Sequence, residues 1–377
     1  MRKSAKVSLA LALMMGVVGG AQIANMNTAS AEISDKFRME MNGVISYRSV
    51  NDASLDSYAP TEVNTKKMST HYWSNYYRVV LNYYQDKNVS AQFRLHSGYD
   101  TAGDMIRNSN YYVKSPSSSY MNDNNGRMYM DRAYLQVKDP VGKTTYMVGK
   151  MGSYMGQGMV FNSTGNHTGV TVQVGNWWEP NNVSFNVWDG TSGKRERSIN
   201  AHAGIAKNVT MSALYFDATT PHNGYDGSYH SHILSLGAQA KLPAVTLVGE
   251  YAHNLVGSNG TYNSRRNPDA KQSGDRKGWY VEAYTGPTTD MTSGLPLQKP
   301  GTSVWSLKYQ DIGANSTVAH NPTFIDNVRG FRLTYGHTFR KGLAGDIAWG
   351  RYKEKFTKQS KNSWDNIIVG EVSFKFK

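Results

Sequence analysis

The amino-acid sequence predicts an all-β fold: a transmembrane antiparallel meander β-barrel of about sixteen strands with an inward-folded third loop. Three observations predict it. The chain begins with the features of an export signal, the rest consists largely of segments in which apolar and polar residues alternate, and the connections between these segments are alternately short and long. A closed barrel leaves no unpaired strand edge, which β-structure inside a bilayer requires.

Residues 1–31 have the three regions of a secretory signal peptide. Basic residues within the first six positions precede an apolar run from Val7 to Val18, and small residues ending at Ala31 follow. A retained membrane helix is the alternative, but the apolar run has about 12 residues whereas a span needs about 20. We therefore predict cleavage after Ala31 and one further domain, an outer-membrane β-barrel over residues 32–377.

The composition fits an exported barrel. Three of the 41 Lys and Arg residues lie in the signal, so the exported part carries 38 basic against 28 acidic residues. This positive charge suits lipopolysaccharide or anionic solutes, and export argues against nucleic acid. The chain has no cysteine, which excludes disulfides and thiolate metal sites. Its 25 Tyr, 8 Trp and 36 Gly and its mean hydropathy of -0.56 suit a barrel in which every second residue meets lipid.

Alternating segments run along the whole exported part. In the clearest one Val89, Ala91 and Phe93 alternate with polar residues, and in the first one Gly43 interrupts an apolar phase. One such strand also suits a soluble sandwich, so the connections are more informative. The predicted strands cover about 37–47, 72–84, 89–96, 132–138, 144–150, 169–178, 182–189, 199–207, 209–217, 232–241, 245–253, 278–285, 303–311, 329–340, 343–352 and 366–376.

Short turns and long loops follow one another. The short ones lie at 85–88, 139–143, 207–208, 241–244 and 340–342, and long polar loops lie at 100–126, 218–231, 254–277 and 312–328. This alternation is typical of a meander whose two rims face different compartments, here periplasm and exterior. The connection 286–301 is too long for a periplasmic turn, so either it carries an insertion or a strand is misplaced.

Aromatic residues cluster near the expected strand ends, at Tyr72-Trp73, Tyr76-Tyr77, Tyr83-Tyr84, Trp177-Trp178 and Trp279-Tyr280. Such rings favour the headgroup layer of a bilayer, although soluble sheets are also rich in them. The last strand places Phe374 and Phe376 on its apolar phase. It resembles the terminal strand of outer-membrane barrels, which implies recognition by the barrel assembly machinery, with Lys377 as an addition.

The stretch Arg127–Val170 contains two predicted strands, a turn, and then a Gly-, Met- and Ser-rich run without Asp, Glu, Lys or Arg. Neither the helical nor the strand period describes this run. We interpret it as a loop folded into a pore. The predicted constriction residues are Met151, Tyr154, Gln157, Met159, Phe161 and Asn162.

Four motifs in this stretch resemble the central segment of Gram-negative-type outer-membrane porins: Asp131-Arg-Ala-Tyr134, Val148-Gly-Lys150, Gly156-Gln-Gly158 and Thr168-Gly-Val170. The first motif is also similar to porins of diderm Firmicutes, here without their cell-wall-binding domain. The resemblance implies a sixteen-strand barrel, usually a homotrimer, that conducts small hydrophilic solutes. The chain departs from enteric general porins in lacking their Pro-Glu-Phe-Gly-Gly element and the acidic residues of their third loop.

Charges on the inward phase of such a barrel set its ion selectivity. The predicted inward basic residues are Arg78, Arg94, Arg132, Lys150, Lys308 and Arg332, and the acidic ones are Glu250, Glu282, Asp346 and Glu371. The basic set leads, which favours a slight anion preference. The alternative is that these charges only solvate the lumen or pair with one another.

Catalytic patterns are weak, because the histidines are scattered and no Ser, His and Asp spacing defines a triad. We predict no enzyme, no metal and no cofactor. Two other functions stay open: a solute-specific channel, for example for sugars, with Tyr154 and Trp177 as a stacking track, and a closed structural or adhesive barrel. The predicted partners are outer-membrane lipid and lipopolysaccharide, the assembly machinery, small hydrophilic solutes and further copies of the chain, with no nucleic acid.

Overall fold

The structure, a computed structural model of the 377-residue chain, describes residues 36–50, 70–100, 128–176, 179–189, 195–221, 228–256, 276–313, 316–317, 324–325, 328–355 and 364–376. Its strands form one closed barrel in which sequence neighbours pair antiparallel and β16 pairs with β1. The predicted fold class and the count of sixteen strands are confirmed. The predicted signal peptide lies outside the described residues and stays a prediction.

The strands have the following bounds: β1 Phe37–Val50, β2 Thr70–Tyr84, β3 Val89–Asp100, β4 Met128–Asp139, β5 Thr144–Met155, β6 Phe161–Val174, β7 Asn182–Asp189, β8 Arg195–Ala206, β9 Val209–Pro221, β10 Ser228–Lys241, β11 Thr246–Asn254, β12 Lys277–Tyr284, β13 Ser303–Ile312, β14 Val328–Arg340, β15 Leu343–Glu354 and β16 Asp365–Phe376. Within the described ranges, no helix combines the length and the apolar character needed to span a membrane.

Two predicted boundaries are wrong by five residues or more, while the others differ by at most four. The strand expected to end at 150 continues to Met155, and the one expected to begin at 169 begins at Phe161. Most of the Gly- and Met-rich run is therefore strand, although it lacks a regular period. The pair Trp177-Trp178 lies outside the described residues.

The two faces of the wall differ as the alternation predicts. Outward side chains such as Val187 and Leu236 are each 60% exposed, while their inward neighbours Trp188 and Ser235 are buried. A continuous apolar outer surface is unfavourable in water and favourable in lipid. The barrel therefore has the outer surface of a membrane-embedded protein.

Aromatic side chains pair across neighbouring strands near both ends of the outer face. Tyr47–Trp73, Trp279–Tyr309 and Phe331–Trp349 lie near the rim that carries the long loops, with ring centroids 5.1, 5.4 and 5.2 Å apart. Phe37–Tyr83 and Trp305–Tyr335 lie near the opposite rim, at 4.9 and 4.6 Å. Two such belts are the arrangement that fixes a barrel at the two interfaces of a bilayer.

The rim opposite the long loops carries the short turns and is called the short-turn rim here. At 85–88 the Asp86 carboxylate accepts hydrogen bonds from the backbone N–H groups of Asn88 and Val89 at 2.7 and 2.9 Å, which lower its pKa. The connection between β12 and β13 is the long exception and contains a 3-10 helix at Leu295–Leu297. It is an insertion, so no strand was misplaced.

The barrel closes where β16 meets β1, and one ring covers one glycine there. Gly43 pairs with Phe374, and a Cβ added at Gly43 would lie 2.6 Å from the ring Cζ of Phe374 and 2.6 Å from the carbonyl oxygen of Tyr76. The Phe374 ring also lies 6.0 Å from Tyr77 and 5.5 Å from Phe376, measured between centroids. Gly43 interrupts the apolar phase of β1 because its missing side chain leaves the space that the Phe374 ring of the last strand fills.

We expect Gly43→Ala to weaken closure of the barrel because the new methyl group overlaps a packed ring and a backbone oxygen. Overpacking of this kind costs about 1–3 kcal/mol. The unfolding temperature of the purified barrel, followed by its shift on unheated gels, measures this loss. Gly370→Ala is the matched control, since no atom lies within 4 Å of the corresponding Cβ position; equal unfolding temperatures for the two variants would contradict the account of the seam.

Candidate functional site

The connection between β5 and β6 is a hairpin that leaves the wall of the barrel. The pairing of β4 with β5 ends at Lys150, and the pairing of β6 with β7 begins at Thr168. Between these points β5 and β6 continue to pair with each other as far as Met155 and Phe161. We call residues 151–167 the lumen hairpin, because its tip contacts inward-facing side chains of β8 to β12.

Glu250 on β11 holds the tip of the lumen hairpin. One carboxylate oxygen, Oε2, accepts hydrogen bonds from the backbone N–H groups of Gln157 and Met159 at 3.1 and 2.9 Å, and Oε1 accepts one from the Ser235 hydroxyl at 2.5 Å. Gly156 has φ +59°, and a Cβ there would lie 2.3 Å from Oε1. The close approach of the carboxylate to the tip therefore requires glycine, both for its conformation and for space.

Three further polar contacts fix the tip. The backbone N–H of Gly156 donates to Asn200 Oδ1 at 2.9 Å, and the Gln157 side-chain amide donates to Ser212 Oγ at 3.1 Å. The Tyr280 hydroxyl donates to the Gln157 carbonyl oxygen at 2.9 Å. These partners lie on β8, β9 and β12, so the hairpin spans the inner wall from β8 to β12.

The hairpin packs an apolar face onto this wall. Met155, Met159 and Phe161 are fully buried, and the ring of Phe161 stacks on Phe216 with centroids 4.9 Å apart. The wall supplies inward residues of β7 to β13, namely Trp188, Leu214, Phe216, Ala218, Ile233, Ala252, Tyr280 and Ile312. Each such buried side chain contributes about 1.5–3 kcal/mol, so packing outweighs any single hydrogen bond at the tip.

This packing removes three of the six predicted constriction residues from the lumen. Met151, Met159 and Phe161 are buried against the wall, because a barrel wall with apolar inward residues must be covered where the lumen is wet. Tyr154 is 44% exposed, and Gln157 and Asn162 are partly exposed. Only these last three of the six predicted residues have side chains in contact with solvent.

The opposite part of the inner wall carries a basic cluster on β2 to β4. Arg94 forms a two-pronged ion pair with Asp131, its Nε and Nη2 atoms lying 2.7 and 2.6 Å from the two carboxylate oxygens. His96 Nδ1 lies 3.1 Å from the same carboxylate. A bulge in the β3–β4 register beside Arg94 and Leu95 lets both Asp131 and Arg132 face inward. The sequence prediction missed Asp131 as an inward group, because regular alternation does not include a bulge. It also missed His96, although this residue shares the polar phase of Arg94 on β3.

More guanidinium groups follow along this side. Arg78 lies over the ring of Tyr76, with Cζ 4.3 Å from the centroid, and Arg132 donates to Gln92 Oε1 at 3.3 Å. Arg332 Nε lies 3.4 Å from Thr334 Oγ1 on β14. Across the seam, Arg48 pairs with Glu371 at 3.4 Å. The sequence prediction missed Arg48, although it lies on the polar phase of β1.

Four predicted pore charges face inward but are covered. Glu250 lies under the hairpin tip and is 3% exposed. Lys308 and Glu282 form a buried ion pair at 3.4 Å, and the Lys308 ammonium lies 3.9 Å from the centre of the Phe324 ring. Asp346 is also buried, beside Gly336. None of these carboxylates offers an open charge to a solute.

Lys150 does not face the lumen. It shares the outward phase of Tyr146 and Val148, which are 45% and 54% exposed. Its ammonium donates to the Met130 carbonyl oxygen at 2.8 Å. The prediction that Lys150 lines the pore is wrong, because the alternation of β5 continues unbroken to this residue and its long side chain reaches the backbone carbonyl that precedes the bulge of β4.

The lumen is therefore divided into two sides. The hairpin covers the inner wall of β7 to β12, and the water-accessible charges Arg48, Arg78, Arg132, Arg332 and Glu371 lie on β14, β16, β1, β2 and β4. A polar groove on the same side is lined by Asn82, Gln92, Tyr134 and Gln136. We call this side the basic side.

No protein-family model matches the chain, and no curated protein sequence matches it. The fold nevertheless defines a class, since a closed sixteen-strand meander with an inward third loop is the fold of outer-membrane porins. OprB of Pseudomonas putida, in its high-pH structure, is similar over 93% of this chain and 96% of its own, with TM-score 0.58 and 10% identity. A triple mutant of Rhodopseudomonas blastica porin is similar over 90% and 100%, with TM-score 0.50 and 12% identity. At these identities the likeness shows the fold alone.

We expect Glu250→Ala to loosen the hairpin tip without releasing the hairpin. The tip loses charge-assisted hydrogen bonds of about 1.5–3 kcal/mol each, while its apolar face stays packed. Single-channel recording should show greater open-channel noise than in the unmodified protein. Asp189→Ala, which removes an exposed outward carboxylate, is the control; noise that is the same in both variants would show that Glu250 does not restrain the tip.

Proposed function

We propose that the chain forms a water-filled channel in an outer membrane, through which small hydrophilic solutes diffuse passively. The single observation that supports this most strongly is the division of the lumen, in which an apolar-anchored hairpin covers one side and leaves a polar, guanidinium-rich side in contact with water. The porin fold supports a channel rather than an enzyme. Export by cleavage of residues 1–31, insertion by the assembly machinery and a homotrimeric state belong to the same proposal.

A slight anion preference follows from which charges remain accessible. Arg48, Arg78, Arg132 and Arg332 keep partial contact with solvent. Of the acidic groups, Glu250 and Glu282 are buried with hydrogen-bonding or ionic partners, Asp131 is paired with Arg94, and Glu371 is paired with Arg48. Arg78, Arg132 and Arg332 therefore supply the excess of positive charge. The net field along the basic side is positive, which raises the local concentration of anions.

A solute-specific channel is the second candidate, and exposed aromatic rings favour it. Tyr154 presents 44% of its surface from the hairpin, and Tyr84 and Tyr134 line the groove of the basic side. Such rings could stack on sugar rings. Liposome swelling across a sugar series distinguishes the two candidates, since a general channel admits sugars by size whereas a specific one saturates with its solute. A closed structural or adhesive barrel would give no swelling.

We expect the refolded protein to give discrete conductance steps in planar bilayers, with a reversal potential on the anion side in a KCl gradient. Arg78→Gln should move the reversal potential toward zero because one accessible positive charge is lost from the lumen. Lys150→Gln is the matched control, since it removes the same charge from the outer face and should leave selectivity unchanged. A cation preference of the unmodified protein would contradict the anion proposal.

A further inference from the structure

A second segment folds into the lumen, from the opposite rim. Residues 285–302 connect β12 to β13, whereas the other connections of the short-turn rim have between two and seven residues. We call residues 286–301 the β12–β13 segment. A connection of this length is unnecessary for joining adjacent antiparallel strands, so its extra residues need another explanation.

The segment is docked on the inner wall by apolar contacts. Met291 and Leu295 are buried with Val304 and Ala344, whose side chains face inward. Gly336 leaves space for them because it has no side chain. A Cβ added there would lie only 2.7 Å from both Leu295 Cδ2 and Met291 Sδ. Small inward residues on β14 and β15 therefore form a seat for the two larger side chains.

Hydrogen bonds from three strand or turn residues complete this seat. The Ser373 hydroxyl of β16 donates to the Met291 carbonyl oxygen at 3.0 Å, and the Thr338 hydroxyl of β14 donates to the Leu295 carbonyl oxygen at 2.9 Å. The backbone N–H of Gly342 donates to the Pro296 carbonyl oxygen at 2.9 Å. Both hydroxyl residues are fully buried, so the segment has a fixed position over β14 to β16.

The tip of the segment reaches the basic side. Asp290 closes the tip, since its carbonyl oxygen accepts the N–H of Leu295 at 2.8 Å and its Oδ1 accepts the N–H of Ser293 at 2.8 Å. The side chain of Thr292 donates to Asp290 Oδ1 at 3.2 Å and lies beside Tyr76 on β2, past the seam between β16 and β1. The guanidinium of Arg78 lies over the same Tyr76 ring.

The two inward elements cover complementary parts of the wall. The lumen hairpin covers β7 to β12, while the β12–β13 segment covers β14 to β16 nearer the short-turn rim.

We propose that the β12–β13 segment is a second constriction, in series with the lumen hairpin, and that its tip at Thr292 restricts the size of solutes beside Tyr76 and Arg78. This inference rests on the proposed channel function. It assigns the segment a role in permeation, in addition to its packing role in the wall.

The absence of cysteine allows a direct test, because an introduced cysteine is the sole thiol of the chain. In Thr292→Cys, an anionic methanethiosulfonate reagent should attach in the open channel and cause a lasting fall in single-channel conductance that a reducing agent reverses. Lys299→Cys is the matched control: it lies in the same segment with an exposed side chain, and its modification should leave conductance unchanged. Mass spectrometry confirms the attachment in each variant.

The outcomes separate this inference from the channel proposal. If the unmodified protein conducts and modified Thr292→Cys keeps its full conductance, the second constriction is excluded while the channel stands. A thiol at position 292 that the reagent does not reach in the open channel excludes it as well. A protein without conductance steps would refute the channel itself, and the inference with it.

Discussion

The arrangement of the lumen depends on one constraint: a cluster of apolar inward residues on β7 to β13 has to be kept from water. Leu214, Phe216 and Ile233 cannot face water at low cost, so this part of the wall must be covered. The lumen hairpin covers it with Met155, Met159 and Phe161, and it is uncharged because its face is a packing surface. The same contact fixes which side of the lumen stays open.

The distribution of charge follows from that cover. Glu250 is removed from the lumen because it satisfies the backbone N–H groups at the hairpin tip, and Lys308 and Glu282 neutralise each other under Phe324. The arginines of β1, β2, β4 and β14 lie on the other side, which the lumen hairpin does not cover. The cover over the apolar wall therefore explains both which charges remain in the passage and why they lie on one side of it.

The strands were predictable from the sequence because a membrane barrel imposes a period of two on nearly every strand, and because short turns alternate with long polar loops between them. The site was predictable only in part. The sequence located the inward third loop, but alternation contains no information about the partner of an apolar residue, so Met159 and Phe161 were assigned to the pore instead of the wall. Lys150 was misassigned by one phase, and Asp131 was missed because a bulge turns it inward beside Arg132. The position of the β12–β13 segment depends on contacts with residues far away in the sequence, such as Gly336 and Ser373. A local sequence pattern does not reveal such contacts.

The most direct test of this account compares the accessibility of the two sides of the lumen. Asn82 lines the groove of the basic side, and Ser212 is buried under the hairpin tip, where it accepts a hydrogen bond from Gln157. In the folded barrel, a water-soluble thiol reagent should modify Asn82→Cys rapidly and Ser212→Cys only after unfolding. Equal rates of modification at the two positions would contradict the proposed division of the lumen.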